Sequence, residues 1–174
     1  AALEQPDLVM AVHRDYLLAG SEIITTASYQ LSVPGIMQRG LTRDQALAAL
    51  GETVRLARRA GEGLGRDYAV AASVGPYGAF LADGSEYRGD YGVSASLLRA
   101  FHHPRLEALA AQRPDLLAFE TLPTIEEAEV LVRLLEAIPG AQAWLSFTAR
   151  DDAHTAAGEP IERCAELANE CPAI

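Results

Sequence analysis

Glu120 has the plainest chemical promise in this sequence. It ends the apolar run 115–120, D-L-L-A-F-E, where a buried carboxylate is costly unless it finds a partner. Such an acid binds a substrate group, caps the helix that follows, or pairs with an arginine. Hydroxyl-bearing residues close the other apolar runs in the same way. Thr25, Thr26, Ser28 and Tyr29 end one; Ser73 ends the next, ahead of Gly75, Pro76 and Tyr77; Thr121 stands beside Glu120; Ser146 and Thr148 close the last. If the runs are strands of a parallel sheet, all these groups lie at C-terminal strand ends, where α/β barrels keep their working residues.

The second chemical feature is the stretch 73–91, S-V-G-P-Y-G-A-F-L-A-D-G-S-E-Y-R-G-D-Y. Its glycines permit positive φ and close approach of the backbone to a ligand. Its tyrosines offer flat apolar faces tipped by a hydroxyl. A connection this long is either a binding or covering segment or a solvated surface loop, and its place directly after a buried-type strand favours the first. Other chemistries lack their residues. No G-x-G-x-x-G follows the first strand, there is no lysine for a phosphate loop, and H-E-x-x-H, C-x-x-C and G-x-S-x-G are absent. His102 and His103 fall on different sides of a helix, His13 is helical too, and His154 sits in a loop near Asp151 and Asp152. Cys164 and Cys171 straddle a helix and its exit with no third ligand nearby, so they make no metal site.

The elements that must position these groups follow from periodicity and punctuation. Pro6 opens a helix that Gly20 closes. Residues 23–29, I-I-T-T-A-S-Y, read as a strand, and Pro34-Gly35 as a loop. Thr42 caps an amphipathic helix reaching about Ala60, and Ala69–Val74 is a fully apolar strand. Ser94 caps a helix to about Ala111 that Pro104 kinks or divides. Residues 115–120 form a third strand, and Thr124 with Glu127 form a capping box for the next helix. A fourth strand, 143–148, and a last helix from about Pro160 to Asn169 follow, and 172–174 starts a further strand. Strand–helix repetition with buried-type strands predicts a parallel α/β protein with right-handed crossovers. About four such units are half of a barrel's eight, which leaves a small open sheet or part of a barrel.

Composition narrows the partners. A formal net charge of −10 without a basic cluster excludes a nucleic-acid role. No apolar run is long enough to span a membrane, and the first residues lack the pattern of a signal peptide. Two cysteines are no disulfide framework, so a cytoplasmic setting is expected.

Four motifs carry a resemblance: I-T-T-A-S-Y-Q (24–30), the whole of 73–91, F-E-T-L-P (119–123) and W-L-S-F-T-A-R-D (144–151). With them the chain resembles, end to end, the homocysteine S-methyltransferase family, and within it the enzymes that use S-methylmethionine. The resemblance implies an α/β fold of the (β/α)8 TIM-barrel family, with about four of eight units here, and residues 1–174 as a partial homocysteine-binding domain. It implies transfer of a methyl group from a sulfonium donor to the thiol of homocysteine, giving methionine, with zinc held by three cysteines. Glu120 would hold the amino group of homocysteine, with Thr121 beside it and Thr26, Ser28 and Tyr29 lining the same pocket. Tyr77, Tyr87, Arg88 and Asp90 would serve donor binding and closure. The family's first-strand D-G, its N-C pair at a later strand end and its final G-G-C-C are missing, so the expectation is a fragment without the first strand and the zinc-bearing half, inactive by itself and prone to self-association. The alternatives are the same barrel using betaine or S-adenosylmethionine, and a non-catalytic half-barrel that only binds or assembles.

Overall fold

The computed structural model describes residues 4–174. In chain order they form α1 (Pro6–Leu18), β1 (Ile23–Thr25), α2 (Val33–Met37), α3 (Arg43–Ala60), β2 (Ala69–Val74), α4 (Tyr77–Leu81), a 3-10 turn (Ser85–Tyr87), α5 (Ala95–Ala110), β3 (Leu116–Leu122), α6 (Ile125–Leu135), β4 (Ala143–Phe147) and α7 (Ile161–Glu170). The four strands pair in parallel, in the order β1-β2-β3-β4. Helices α1, α3, α5, α6 and α7 pack against one another in the same succession. A sequential parallel sheet backed by a sequential helical layer is the winding of a (β/α)8 barrel, here with four of its strands.

Alternation along the strands divides their side chains between two faces. Ile24, then Val70, Ala72 and Val74, then Leu117 and Phe119, join the apolar core beneath the helices. Burial of each large side chain there contributes roughly 1.5–3 kcal/mol. The opposite face carries Ser73, Glu120 and Ser146, so these polar strand residues project away from the helical layer. Thr42 starts α3 with a complete capping box, its hydroxyl accepting from Gln45 N and the Gln45 side chain accepting from Thr42 N.

Several expectations are corrected. The strand predicted over 23–29 ends at Thr25, because the Thr26 and Ser28 hydroxyls take over from the ladder and bond the backbone of Ser73. Pro34-Gly35 is no loop but the first turn of α2, where Ser32 Oγ accepts from Gly35 N at 3.1 Å. Pro104 does not divide α5; buried Leu98, Phe101, Leu106 and Leu109 hold both halves to the core. Strand β3 continues to Leu122 through a register shift after Phe119. The stretch after β2 is structured by α4 and the 3-10 turn. Residues 172–174 form a turn, although Ala143 N of β4 donates to Ala173 O at 2.7 Å.

At the other sheet edge, β1 shows an exposed Ile23 near the exposed Val12 and Tyr16 of α1. An open apolar edge templates pairing with another chain. Prepared as these 174 residues alone, the chain is expected to self-associate in sedimentation, and Ile23→Lys to shift it towards monomer. A stable monomer without the substitution would contradict this reading.

Candidate functional site

The site is built on a relay of hydroxyls across the C-terminal strand ends. Ser28 Oγ donates to Ser73 O at 2.7 Å, and Ser73 N donates to Thr26 Oγ1 at 3.0 Å. Since the single Ser28 proton is used, Thr26 donates in the 2.6 Å bond between the two hydroxyls. The Ser73 hydroxyl then donates to Glu120 Oε1. The half-buried carboxylate on β3 is thereby tied through β2 to the loop after β1.

Beside it the backbone is strained. Thr121 has φ of 63°, a left-handed conformation that a β-branched residue adopts only under constraint. Its N–H reaches Ser146 Oγ at 3.3 Å, and its side chain lies close to the Tyr29 hydroxyl. Burial raises the Tyr29 pKa, the polar Thr121 side chain opposes this, and the nearby Tyr87, Glu86 and Glu120 raise it further.

A second, fully buried layer holds the loops that frame this site. The Arg105 guanidinium donates to Gly75 O at 2.8 Å, Tyr29 O at 2.8 Å and Ser28 O at 3.3 Å, with its carbon 5.6 Å from the Phe101 ring centroid. Burial pulls its pKa down to about 10 against the favourable field of Glu127. Glu127 Oε1 accepts from Tyr77 N at 2.5 Å and from His102 Nε2 at 2.8 Å, and its Oε2 accepts from Tyr91 Oη at 3.0 Å. The predicted capping box is therefore only half made: Thr124 Oγ1 accepts from Glu127 N, but the carboxylate turns inward to these donors. With Nε2 donating, a neutral His102 leaves only an acceptor at its buried Nδ1, which has no partner; a protonated ring would leave a donor there.

The glycines serve contact of the chain with itself. A Cβ at Gly75 would lie 2.6 Å from the Tyr29 ring, and one at Gly78 would lie 2.4 Å from Glu86 N. The first closes the loop after β2 onto the loop after β1. The second lets α4 seat the 3-10 turn.

Of the residues singled out in the sequence, Thr26, Ser28, Tyr29, Glu120 and Thr121 come together at this rim. Tyr87 is 61 % exposed, yet close enough to act on Tyr29. The Tyr77 ring packs instead among Phe80, Tyr91 and Phe101, with centroids 5.0–5.7 Å apart. Arg88 and Asp90 pair with each other at 3.2 Å on the exposed side of the loop. Sequence reasoning missed Arg105, Glu86 and the inward turn of Glu127. A signal for Arg105 existed: it lies on the buried stripe Leu98–His102–Arg105–Leu109 of α5, where an arginine is out of place unless polar partners meet it.

Among the described residues no cluster of three His, Cys, Asp or Glu side chains could hold a metal ion. Cys164 and Cys171 are free and belong to α7 and its C-terminal end, in the helical layer, and burial raises the Cys164 thiol. They do not fit a zinc site.

The family model described as homocysteine S-methyltransferase matches residues 1–174. The homocysteine S-methyltransferase of Escherichia coli (strain K12) is 47% identical, the match covering 99% of this chain and 57% of that protein. Homocysteine S-methyltransferase 4 of Zea mays is 46% identical over 97% of this chain and 54% of its own length. Among solved structures, the metallated form of the homocysteine methyltransferase MmuM from Escherichia coli superposes with a TM-score of 0.94 at 47% identity, covering 98% of this chain and 62% of that one. Its apo form gives 0.82. The chain thus spans little more than half the length of its curated relatives.

Burial lowers the pKa of both His102 and His13 from the ordinary 6.5. The unfolded chain therefore binds more protons than the fold below about pH 6.5, and stability falls as pH drops through that value. The melting temperature is expected to decline between about pH 7.5 and 5.5. His102→Gln, which keeps a donor for Glu127, should lessen the decline; an unchanged profile in calorimetry would refute the assignment.

Proposed function

This chain belongs to the homocysteine S-methyltransferase family, and from that premise we propose that the protein of which it is part moves a methyl group from S-methylmethionine, or a related sulfonium donor, to homocysteine. The observation that carries this reading is Glu120, presented at the end of β3 by the Ser73 hydroxyl and flanked by the strained Thr121. A carboxylate so placed suits an ammonium group, and homocysteine offers one at the distance of an amino-acid backbone from its reactive sulfur. Thr26, Ser28 and Ser73 fix the carboxylate, and Tyr29 forms an adjoining wall. Tyr87 and the loop bearing Arg88 and Asp90 approach from the donor side. Tyr77 supports that loop through its aromatic contacts.

In the reaction the homocysteine sulfur, having lost its proton, attacks the methyl carbon in line with the carbon–sulfur bond that breaks. The electron pair of that bond stays with the donor sulfur, which leaves as a neutral thioether. With S-methylmethionine both products are methionine. Positioning of the two sulfurs supplies much of the acceleration. The zinc expected from the family resemblance would hold the homocysteine thiolate. Its thiolate ligands are not among the described residues, and the part of this chain is to orient the amino-acid portions. The buried, free Cys164 and Cys171 are in keeping with a reducing cytoplasm.

Glu120→Gln in the full-length protein should raise KM for homocysteine about 10- to 100-fold, the worth of one charge-assisted hydrogen bond. Unchanged affinity would refute its role. Rates measured with S-methylmethionine, S-adenosylmethionine and betaine as donors decide the donor, and the sulfonium amino acid is expected to be fastest.

A further inference from the structure

Glu86 is an acid without a counterpart. It lies in the 3-10 turn, only 8 % exposed, and its Oε2 is buried with no hydrogen-bond donor. Its backbone is fixed from two sides. Thr148 Oγ1, just past β4, donates to Glu86 O at 3.4 Å, and α4 abuts its N–H through the bare Cα of Gly78. The turn therefore lies over the C-terminal strand ends, against the site.

Among the described residues no basic side chain answers the carboxylate. Arg88, two residues on, is engaged by Asp90 and by the carbonyl of Asp83 on the exposed side. Arg105 gives its bonds to the carbonyls of Gly75, Ser28 and Tyr29. Glu86 and Glu120 both raise the pKa of Tyr29, so both carboxylates lie near one phenol. A buried carboxylate lacking both a donor and a cation is unfavourable by itself and becomes favourable when a ligand brings both.

We propose that Glu86, in the turn over the strand ends, receives the α-ammonium group of the methyl donor, while Glu120 receives the ammonium of the acceptor. This rests on the methyl-transfer reading above. Two amino-acid substrates would then be matched by two carboxylates. The choice of ammonium over sulfonium follows from chemistry: the orphan Oε2 needs a hydrogen-bond donor, which a sulfonium lacks and an ammonium has. It follows also from charge. The sulfonium loses its charge as the methyl leaves, so a carboxylate beside it would favour the ground state, whereas the ammonium keeps its charge throughout. Glu86 should thus act on donor binding and hardly on the chemical step.

The test is steady-state methyl transfer by the full-length protein, wild type and Glu86→Gln, with S-methylmethionine and with a dimethylsulfonium analogue lacking the amino group. The wild type should favour S-methylmethionine. The variant should show KM for that donor raised about 10- to 100-fold and its preference over the analogue lost, with kcat and KM for homocysteine within about twofold. Glu86→Asp, which keeps the charge, should recover part of the preference. A wild type active with S-methylmethionine, alongside a variant with unaltered donor KM and preference, or with only homocysteine binding impaired, would overturn the role of Glu86 alone. A wild type inactive with every donor would overturn the methyl-transfer reading and this inference with it.

Discussion

A guanidinium with almost no solvent governs the shape of the working end. Arg105 is 1% exposed and is held by three main-chain carbonyls from two different loops, those after β1 and β2. Two of those carbonyls also accept a main-chain N–H, Ser28 O from Leu31 and Tyr29 O from Gly75, and the guanidinium adds the bonds that join the two loops. The arginine satisfies them together and so fixes how far apart Tyr29 and Gly75 stand. The counterpart on the neighbouring helix is Glu127, which gathers a main-chain N–H, an imidazole and a phenol. Between them α5 and α6 clamp the loops from below, and the hydroxyl relay on the opposite face inherits its geometry from that clamp. Removing either partner would strand a buried group, which is why such networks act as units.

The sequence made the local decisions legible and left the long-range ones hidden. Strand β2 coincides with the predicted Ala69–Val74, and α3 begins at its predicted cap, because burial on both faces and a capping box are written in neighbouring residues. The short β1 was not legible, because Thr26 and Ser28 leave the ladder for Ser73, some forty-five residues away in the chain. Glu127 matches a capping box perfectly well in sequence; only the arrival of His102, Tyr91 and Tyr77 draws its carboxylate inward. Thr121 gives no sign of its left-handed backbone, since nothing local demands it and the bulge in β3 alone imposes it.

The candidate site was legible in one half. Thr26, Ser28, Tyr29, Glu120 and Thr121 share the strand-end position that the fold class predicts, and the fold brings them together. The other half comes from a segment that sequence treats as one long loop, and there spacing says little about direction. Tyr77 faces an aromatic cluster and Arg88 faces Asp90, while Glu86, chemically unremarkable in a string of loop residues, is the one turned into the protein.

The succession of strands also bears on how the chain acquires its shape. Each strand pairs with the one before it, Ile23 with Ala69, Ala71 with Leu116 and Leu117 with Ala143, so no pairing waits for a distant part of the polypeptide. Loop closure is thus incurred in separate, modest instalments. Such a sheet lengthens at one growing edge, and a chain emerging from the ribosome could add each strand on arrival.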